Sequence, residues 1–318
     1  MNRARAFPHR HLLDVDSLSL ADVDQLFTEA EHWLLFNRAA RRRDERLAGL
    51  TQVNLFFESS TRTLVSFELA GRRLGADVVS VPIAQSSVRK GETLLDTVRT
   101  GDAMGVDIMV LRHQDEGAAA TVAGAVRCGV INAGDGANQH PTQALLDAFT
   151  IRRRFGRVEG LTVAICGDVR HSRVANSSRR LLSRLGAEVR LVAPPGLLPA
   201  ETGSAPVFVD LDEGIAGADI VMMLRIQRER MEDALTGLLG DFHSAYGLTA
   251  ARLHRAAPNA LVMHPGPINR GIEIESALAD DPERSLILDQ VESGVAVRMA
   301  CLDLLTREVR DYPSPRLP

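Results

Sequence analysis

The sequence is short of cysteine, of aromatic side chains and of lysine. Its 318 residues include three cysteines and only 4% aromatic residues. Cys128, Cys166 and Cys301 are far apart, with no CxxC pair and no spacing typical of zinc ligands. No apolar run is long enough to span a bilayer, and residues 1–13 lack the apolar core of a signal peptide. These absences disfavour disulfide-rich, membrane-spanning and zinc-stabilised proteins, and they predict a cytoplasmic location.

Lysine is the scarcest of the charged residues, since Lys90 is the only one among 37 lysines and arginines. An amine on a flexible stem differs chemically from a planar guanidinium, so a single retained lysine is a candidate site residue. The alternative is that it survived by accident on the surface. The net charge of −4 gives no reason to expect a nucleic-acid partner. Arginine runs at 41–43 and 152–154 are interpreted as solvated helix faces or ends.

Short apolar, strand-like runs alternate with helical patterns in two series along the chain. In the first series the strands are predicted at 52–57, 77–82, 107–111 and 129–132, between helices at 17–48 and 141–155. In the second they are predicted at 161–166, 188–193, 206–209, 219–224 and 260–263, before a last helix at 289–309. This order predicts an α/β fold of two domains, each a mostly parallel sheet flanked by helices. The expected domains are 1–142 and 143–286, with the C-terminal helix (287–318) returning to the first.

The first predicted strand leads into Ser60, Thr61, Arg62 and Thr63, where a helix begins. Hydroxyl groups, a guanidinium and free backbone N–H groups at a helix start together suit a phosphate. A plain N-cap needs only one such residue and no arginine, so a phosphate site is favoured over a cap.

Other polar residues follow further strands of the first series. Ser86 and Lys90 lie in a polar loop, which can close over a phosphorylated substrate or be an ordinary surface loop. Arg112 ends the third strand, at the sheet edge where α/β folds bind ligands. His140 and Gln143 are three residues apart at a helix start and suit a small carbonyl and amide. Taken alone, such a histidine is more often structural.

In the second series no GxGxxG follows the first strand, which disfavours a dinucleotide site. Arg173 follows that strand, and Arg225 and Gln227 follow the strand at 219–224. Two guanidinium groups and an amide can hold a dicarboxylate with forked hydrogen bonds. Pro265 and Gly266 lie in a rigid turn whose carbonyl groups can accept from an amine or amide.

Five motifs together resemble the transcarbamoylase family in order and spacing, over nearly the whole chain. They are Ser60-Thr61-Arg62-Thr63, Lys90-Gly91-Glu92, Arg112-His113, His140-Pro141-Thr142-Gln143 and His264-Pro265-Gly266-Pro267. The segment from Arg225 to Arg230 is similar to the acceptor loop of the aspartate enzymes. Ornithine enzymes carry a Ser-Met-Gly segment and a Cys in the later turn, both missing here. The resemblance implies transfer of a carbamoyl group from carbamoyl phosphate to L-aspartate, an early step of pyrimidine biosynthesis, with no metal or redox cofactor.

The resemblance also implies a role for each candidate residue. The phosphate group would be held by Ser60, Thr61, Arg62, Thr63 and Arg112. The carbamoyl oxygen would be polarised by Thr63, Arg112 and His140. The carbamoyl NH₂ would be oriented by Gln143 and the carbonyl groups of Pro265 and Gly266. Aspartate would be bound by Arg173, Arg225 and Gln227, and by Lys90, which contacts both substrates. Ser86 and Lys90 would come from a neighbouring subunit, so that a homotrimer shares its active sites.

Several alternatives stay open on the sequence. A transcarbamoylase for another amine acceptor is one, and a catalytically silent scaffold homologue is another, although Arg62, Lys90, Arg112 and His140 are all retained. A regulatory chain or a dihydroorotase is possible as a partner. The chain also departs from the family at Leu64, where an arginine is usual, which puts phosphate affinity or trimer stability in question.

Overall fold

The computed structural model describes residues 7–81, 91–227 and 242–311. The chain divides into two compact units: unit 1 is Met1–Leu145 with Glu292–Pro318, and unit 2 is Leu146–Val291. Each unit is built on a parallel sheet with helices beside it, so the predicted α/β fold class is confirmed. Candidate residues Ser86 and Lys90 lie outside the described residues.

Unit 1 contains a four-stranded sheet in the order β2-β1-β3-β4. Its strands are β1 (Thr51–Phe56), β2 (Asp77–Val81), β3 (Ile108–His113) and β4 (Gly129–Asp135). Its helices are α1 (Leu20–Arg38), α2 (Thr61–Arg73), α3 (Leu94–Ala103) and α4 (Ala118–Ala123), followed by the start of α5 (Pro141–Phe155). All strand pairs are parallel, so their carboxyl ends meet at one edge of the sheet.

Unit 2 contains a five-stranded parallel sheet in the order β7-β6-β5-β8-β9. Its strands are β5 (Thr162–Cys166), β6 (Glu188–Val192), β7 (Val207–Phe208), β8 (Ile220–Met223) and β9 (Leu261–Met263). Its helices are α6 (Arg173–Arg184), α7 (Leu211–Ile215), α8 (Phe242–Tyr246), α9 (Ala250–Leu253) and α10 (Ser276–Ala279), with a 3-10 turn at Pro195–Leu197. Strands β5, β8 and β9 are buried along almost their whole length, as expected of a parallel sheet that is covered on both faces.

Helix α1 shows how local signals set an element's bounds. Ser19 and Asp22 form a capping box, with Asp22 N donating to Ser19 Oγ at 3.2 Å and Ser19 N to Asp22 Oδ2 at 2.9 Å. The helix ends at Arg38 because Ala39 is extended and the arginines that follow are exposed. The predicted helix at 17–48 was therefore too long, since residues 39–43 are all exposed and offer no apolar face to bury.

The long helix α11 (Ile287–Leu305), followed by α12 (Arg307–Asp311), ends the described chain. From Glu292 onward, both helices belong to unit 1. There Arg298 Nη1 donates to Ser66 Oγ at 3.0 Å, and Arg307 Nη2 lies 2.7 Å from Glu29 Oε1 of α1. The predicted return of the C-terminal helix to the first part of the chain is confirmed.

Asp102 joins the end of α3 to the chain before β4. Its carboxylate accepts from the backbone N–H groups of Arg127 and Cys128, at 3.0 and 3.1 Å, and from Arg127 Nε at 3.2 Å. Burial alone raises the pKa of this carboxyl, but the hydrogen bonds and the Arg127 charge outweigh burial and hold the pKa below its ordinary value.

All three cysteines are buried free thiols. Burial raises the pKa of Cys301 and, with the help of the Asp102 charge, that of Cys128, each to about 12, and burial likewise raises the pKa of Cys166. Within the described ranges, no helix is both long and apolar enough to cross a bilayer.

Candidate active site

The residues predicted to bind phosphate begin helix α2. Ser60 occupies the N-cap position, but its side chain makes no capping bond to the helix backbone. Instead its hydroxyl donates to Thr63 Oγ1 at 3.0 Å. Thr61 and Arg62 are exposed, whereas Thr63 is buried. The helix start therefore presents two linked hydroxyl groups and an exposed guanidinium, together with the partial positive charge of the helix N-terminus.

Arg112 lies on β3 beside the strand that leads into this helix. Phe56 of β1 is its register partner, and Phe57 N donates to the Arg112 carbonyl at 2.9 Å. Its guanidinium donates from Nη1 to Ala133 O at 3.2 Å and from Nη2 to Glu58 Oε1 at 2.8 Å. Because β1 and β3 are parallel neighbours, Arg112 lies at the sheet edge from which the Ser60–Thr63 segment starts.

His140 and Gln143 are placed by the tight turn that follows β4. The buried Asp135 carboxylate accepts four hydrogen bonds there. Oδ1 accepts from Asn132 Nδ2 at 2.9 Å and Gln139 N at 3.0 Å, and Oδ2 from Gly117 N at 2.8 Å and Asn138 Nδ2 at 3.1 Å. This turn delivers the chain to Pro141 at the first position of α5, as predicted. His140 and Gln143 are 3% and 8% exposed, so both are set in protein rather than in solvent.

In unit 2, Asp168 lies just after β5 and contacts Gln227, one of the residues predicted to bind the amino-acid substrate. Asp168 is fully buried and accepts from His171 N at 3.2 Å, from His171 Nδ1 at 2.9 Å and from Gln227 N at 3.3 Å. Gln227 Nε2 also donates to the His171 carbonyl at 3.0 Å. Burial raises the pKa of Asp168, while the charge and hydrogen bonds of His171 oppose that rise.

Arg173 is the first residue of α6 and is only 5% exposed. The preceding Ser172 caps the helix by accepting from Ala175 N at 3.1 Å. Arg225 is partly exposed and lies two residues after β8. Within this unit the Asp168 cluster therefore joins the turn before Arg173 to the segment that carries Arg225 and Gln227.

Pro265 and Gly266 lie in the turn after β9, and both are partly exposed. Gly266 has a φ of +67°, a region that favours glycine. Its N–H donates to Nδ1 of the buried His264 at 2.8 Å. The turn is therefore fixed from the protein interior, and its outer residues are available for contacts.

The sequence-predicted residues thus fall into groups. Unit 1 brings Ser60 and Thr63 into contact, places Arg112 at the same sheet edge and puts His140 and Gln143 at the start of α5. Sequence reasoning missed the carboxyl groups that hold these residues. They are Glu58, Asp135, Asp168 and Glu273. Each acidic residue is close to a predicted motif in the sequence, and that proximity was the only signal for it.

Family models match both halves of the chain. Residues 10–153 match the model described as "Aspartate/ornithine carbamoyltransferase, carbamoyl-P binding domain". Residues 159–305 match "Aspartate/ornithine carbamoyltransferase, Asp/Orn binding domain".

Curated relatives and solved structures agree with these models. An aspartate carbamoyltransferase catalytic subunit of Rhizorhabdus wittichii is 60% identical over 96% of this chain and 97% of its own, and one of Sphingopyxis alaskensis is 58% identical over 97% and 90%. The aspartate transcarbamoylase of Trypanosoma cruzi, solved with N-(phosphonacetyl)-L-aspartic acid, has a TM-score of 0.83 at 32% identity, covering 92% and 94%. Ornithine carbamoyltransferase of Pyrococcus furiosus has a TM-score of 0.84 at 26% identity, covering 95% and 98%. The chain therefore belongs to the aspartate/ornithine carbamoyltransferase family.

Proposed function

We propose that the protein is an aspartate carbamoyltransferase, which transfers the carbamoyl group of carbamoyl phosphate to the amino group of L-aspartate and releases phosphate. The observation that carries the proposal is the polar edge of the unit 1 sheet, where Arg112 lies beside the strand that leads to the linked hydroxyl groups of Ser60 and Thr63. Support for the aspartate acceptor comes from two relatives, 60% and 58% identical, that are named for aspartate.

Unit 1 is the proposed site for carbamoyl phosphate. Its phosphate is held by Ser60, Thr61, Arg62, Thr63 and Arg112, because these supply hydroxyl, guanidinium and helix N-terminal donors. Arg112 Nη2 lies 2.8 Å from Glu58 Oε1, so this guanidinium is already held in a geometry that suits an anionic oxygen such as that of a phosphate. The family description of a carbamoyl-phosphate-binding domain over 10–153 supports this assignment.

The reaction needs charge stabilisation where the carbamoyl oxygen becomes negative. Thr63, Arg112 and His140 are the proposed donors to that oxygen, and Gln143 with the carbonyl groups of Pro265 and Gly266 orients the carbamoyl NH₂. The α-amine of aspartate attacks as the uncharged base, and the departing phosphate takes up the proton. Rigid donors act most strongly here because they need no reorientation during the reaction. Replacing His140 by alanine is expected to cost about 3 kcal/mol of barrier, as for other oxyanion donors.

Unit 2 is the proposed site for aspartate. Arg173, Arg225 and Gln227 bind its two carboxylates, and Lys90 contacts both substrates. Two guanidinium groups favour an anionic acceptor and would repel the cationic side chain of ornithine. Asp168 supports this selectivity by positioning the binding residues, since its carboxylate accepts hydrogen bonds from the backbone N–H of Gln227 and from the backbone N–H of His171 in the turn before Arg173.

Assembly and location complete the proposal. The protein is a cytoplasmic homotrimer in which Ser86 and Lys90 of one subunit serve the site of its neighbour. Both residues lie outside the described part of the chain. Relatives carry the name "catalytic subunit", which supports a regulatory or other enzyme chain as a further partner.

Product formation from carbamoyl phosphate with L-aspartate, L-ornithine or N-acetylornithine, one acceptor in each reaction, tests the proposal. Carbamoyl-aspartate formed with aspartate alone is the expected result. Turnover with another acceptor would leave the phosphate site intact and overturn the roles of Arg173, Arg225 and Gln227. If none of the three is carbamoylated, the silent scaffold becomes the better reading.

A further inference from the structure

Behind the turn 264–267, a set of buried hydrogen bonds connects side chains to which no substrate role has been given. His264 and Glu273 have fully buried side chains, and Nε2 of the imidazole is 3.2 Å from Glu273 Oε1. The same carboxyl oxygen accepts from Asn269 N at 2.5 Å. Oε2 of Glu273 is also buried and has no hydrogen-bond partner among the described residues. Burying such a carboxyl is costly, so its retention calls for a role.

The hydrogen bonds assign the protonation of the His264 ring. Gly266 N–H donates to Nδ1, so Nδ1 is an acceptor and carries no proton. The ring proton is therefore on Nε2, from which it is donated to Glu273. The neutral His264 ring therefore hydrogen-bonds to the Glu273 carboxylate on one side and to the backbone N–H of Gly266 on the other.

This bridge also fixes a carbonyl group. In a trans peptide the C=O and N–H groups point in opposite directions. The Gly266 N–H is directed inward at the imidazole, so the C=O of Pro265 is directed away from it. Pro265 and Gly266 are both partly exposed, in contrast to the fully buried ring. A ring held in place by Glu273 thus sets the direction of the Pro265 carbonyl.

The backbone of His264 is anchored from the other side. His264 N donates to Gln290 Oε1 at 2.9 Å, and Gln290 Nε2 donates to Asp147 Oδ1 at 2.7 Å. Asp147 Oδ2 in turn accepts from Ser178 Oγ at 3.2 Å. All of these residues belong to unit 2. The turn is therefore held by hydrogen bonds to the helices of unit 2 on one side and to Glu273 on the other.

We propose that His264 and Glu273 are positioning residues that aim the Pro265 carbonyl at the carbamoyl NH₂ and so set the preference for carbamoyl phosphate over acyl phosphates of the same size. The inference rests on the proposed function, because it takes this turn as the acceptor of the carbamoyl NH₂. An interior network that served only packing would not distinguish NH₂ from CH₃ on the ligand.

Acetyl phosphate is the matched probe, since it keeps the phosphate and the carbonyl and replaces NH₂ by CH₃. The dissociation constants of both ligands are measured by calorimetry in the cold on the full-length protein. His264→Gln removes the acceptor of the Gly266 N–H while keeping a polar group near Glu273. We expect it to lower the preference for carbamoyl phosphate about tenfold, the worth of one oriented hydrogen bond, with acetyl phosphate binding unchanged.

Two further variants sharpen the test. Glu273→Gln retains an oxygen that accepts from the ring and from Asn269 N, so it is expected to keep the preference within about threefold. Glu275→Gln is the matched control, because Glu275 accepts from Ala250 N at 3.0 Å, a bond that lies away from the turn 264–267. This control is expected to match the native protein for both ligands.

Equal weakening of both ligands in His264→Gln, or an unchanged preference, would overturn the proposal. If circular dichroism shows that this variant does not fold, Glu273→Asp decides the question, because it withdraws the carboxyl by one methylene while keeping the ring. An unaltered preference in Glu273→Asp likewise overturns the inference. A native protein that binds no carbamoyl phosphate would instead refute the proposed function, which keeps the two failures apart.

Discussion

Replacing Asp135 by asparagine tests how the protein positions His140. The native carboxylate accepts four hydrogen bonds, two on each oxygen, at 2.8 to 3.1 Å. Asparagine offers one oxygen and one NH₂ group, so two of the four donors then face another donor. Either orientation of the amide leaves this conflict, because both carboxylate oxygens are used equally in the native turn.

The size of the effect follows from that count. A buried donor left without an acceptor costs about 1–3 kcal/mol. Two such donors, partly relieved by small shifts of the turn, predict a loss of about 3 kcal/mol in the free energy of unfolding. The same shifts move His140, which follows directly after Gln139, and a displacement of about 1 Å at a catalytic group lowers the rate roughly a hundredfold.

The assay combines urea denaturation with steady-state kinetics on Asp135→Asn and on Asp115→Asn as a matched control. Asp115 is an aspartate of the same unit whose side chain is 73% exposed and lies no closer than 3.6 Å to His113 Nδ1, so its replacement is expected to change neither quantity. A stable Asp135→Asn protein with native turnover would refute the four-bond account. If Asp135→Asn is destabilised but keeps the native kcat, the hydrogen bonds of Asp135 stabilise the fold but do not position His140 for catalysis.

Three further predictions concern other parts of the chain. Lys90→Ala is expected to give folded, assembled protein with almost no turnover, and near-normal activity would contradict a shared site. Asp102→Asn removes a carboxyl group whose pKa is lower in the folded protein than its ordinary value of 3.8. The native carboxylate therefore stabilises the fold above pH 3.8, and this stabilisation disappears as the pH falls through the folded-state pKa. Denaturation of both proteins from pH 7 to pH 3 is expected to show a stability difference that shrinks as the pH falls. Gly167→Ala is expected to lower the free energy of unfolding by about 2 kcal/mol more than Gly217→Ala. Both glycines have positive φ, but only at Gly167 would a Cβ lie 2.8 Å from Leu224 O. Equal denaturation midpoints for the two variants would contradict this.

Hydrophobic periodicity, together with proline and glycine at the ends of elements, was enough to predict most of the helices and strands. Helix α5 was predicted at 141–155 and has those bounds, because Pro141 suits the first helical turn and Gly156, with φ +74°, suits the end. The apolar run that predicted strand β3 covers 107–111 with Arg112 at its end, and the strand itself continues through His113. Hydrophobicity alone could not extend it, because polar side chains at a strand's carboxyl end break the apolar pattern where a site begins.

The residues that hold the site could not be found in this way. Glu58 is 54 positions from Arg112, and Asp168 is 59 positions from Gln227. Only the parallel pairing of distant strands brings such partners together, and a single sequence carries no record of that proximity.

The three buried thiols give the protein a built-in set of unfolding reporters. Cys128 and Cys301 belong to unit 1 and Cys166 to unit 2, and all are shielded from solvent in the native chain. A thiolate is the species that reacts with a disulfide reagent, so reaction must await opening of the structure around each sulfur. Modification rates at the three positions therefore compare the opening of the two units within one molecule. Because the three native thiols are buried, a cysteine introduced on the surface would react with a labelling reagent before any of them.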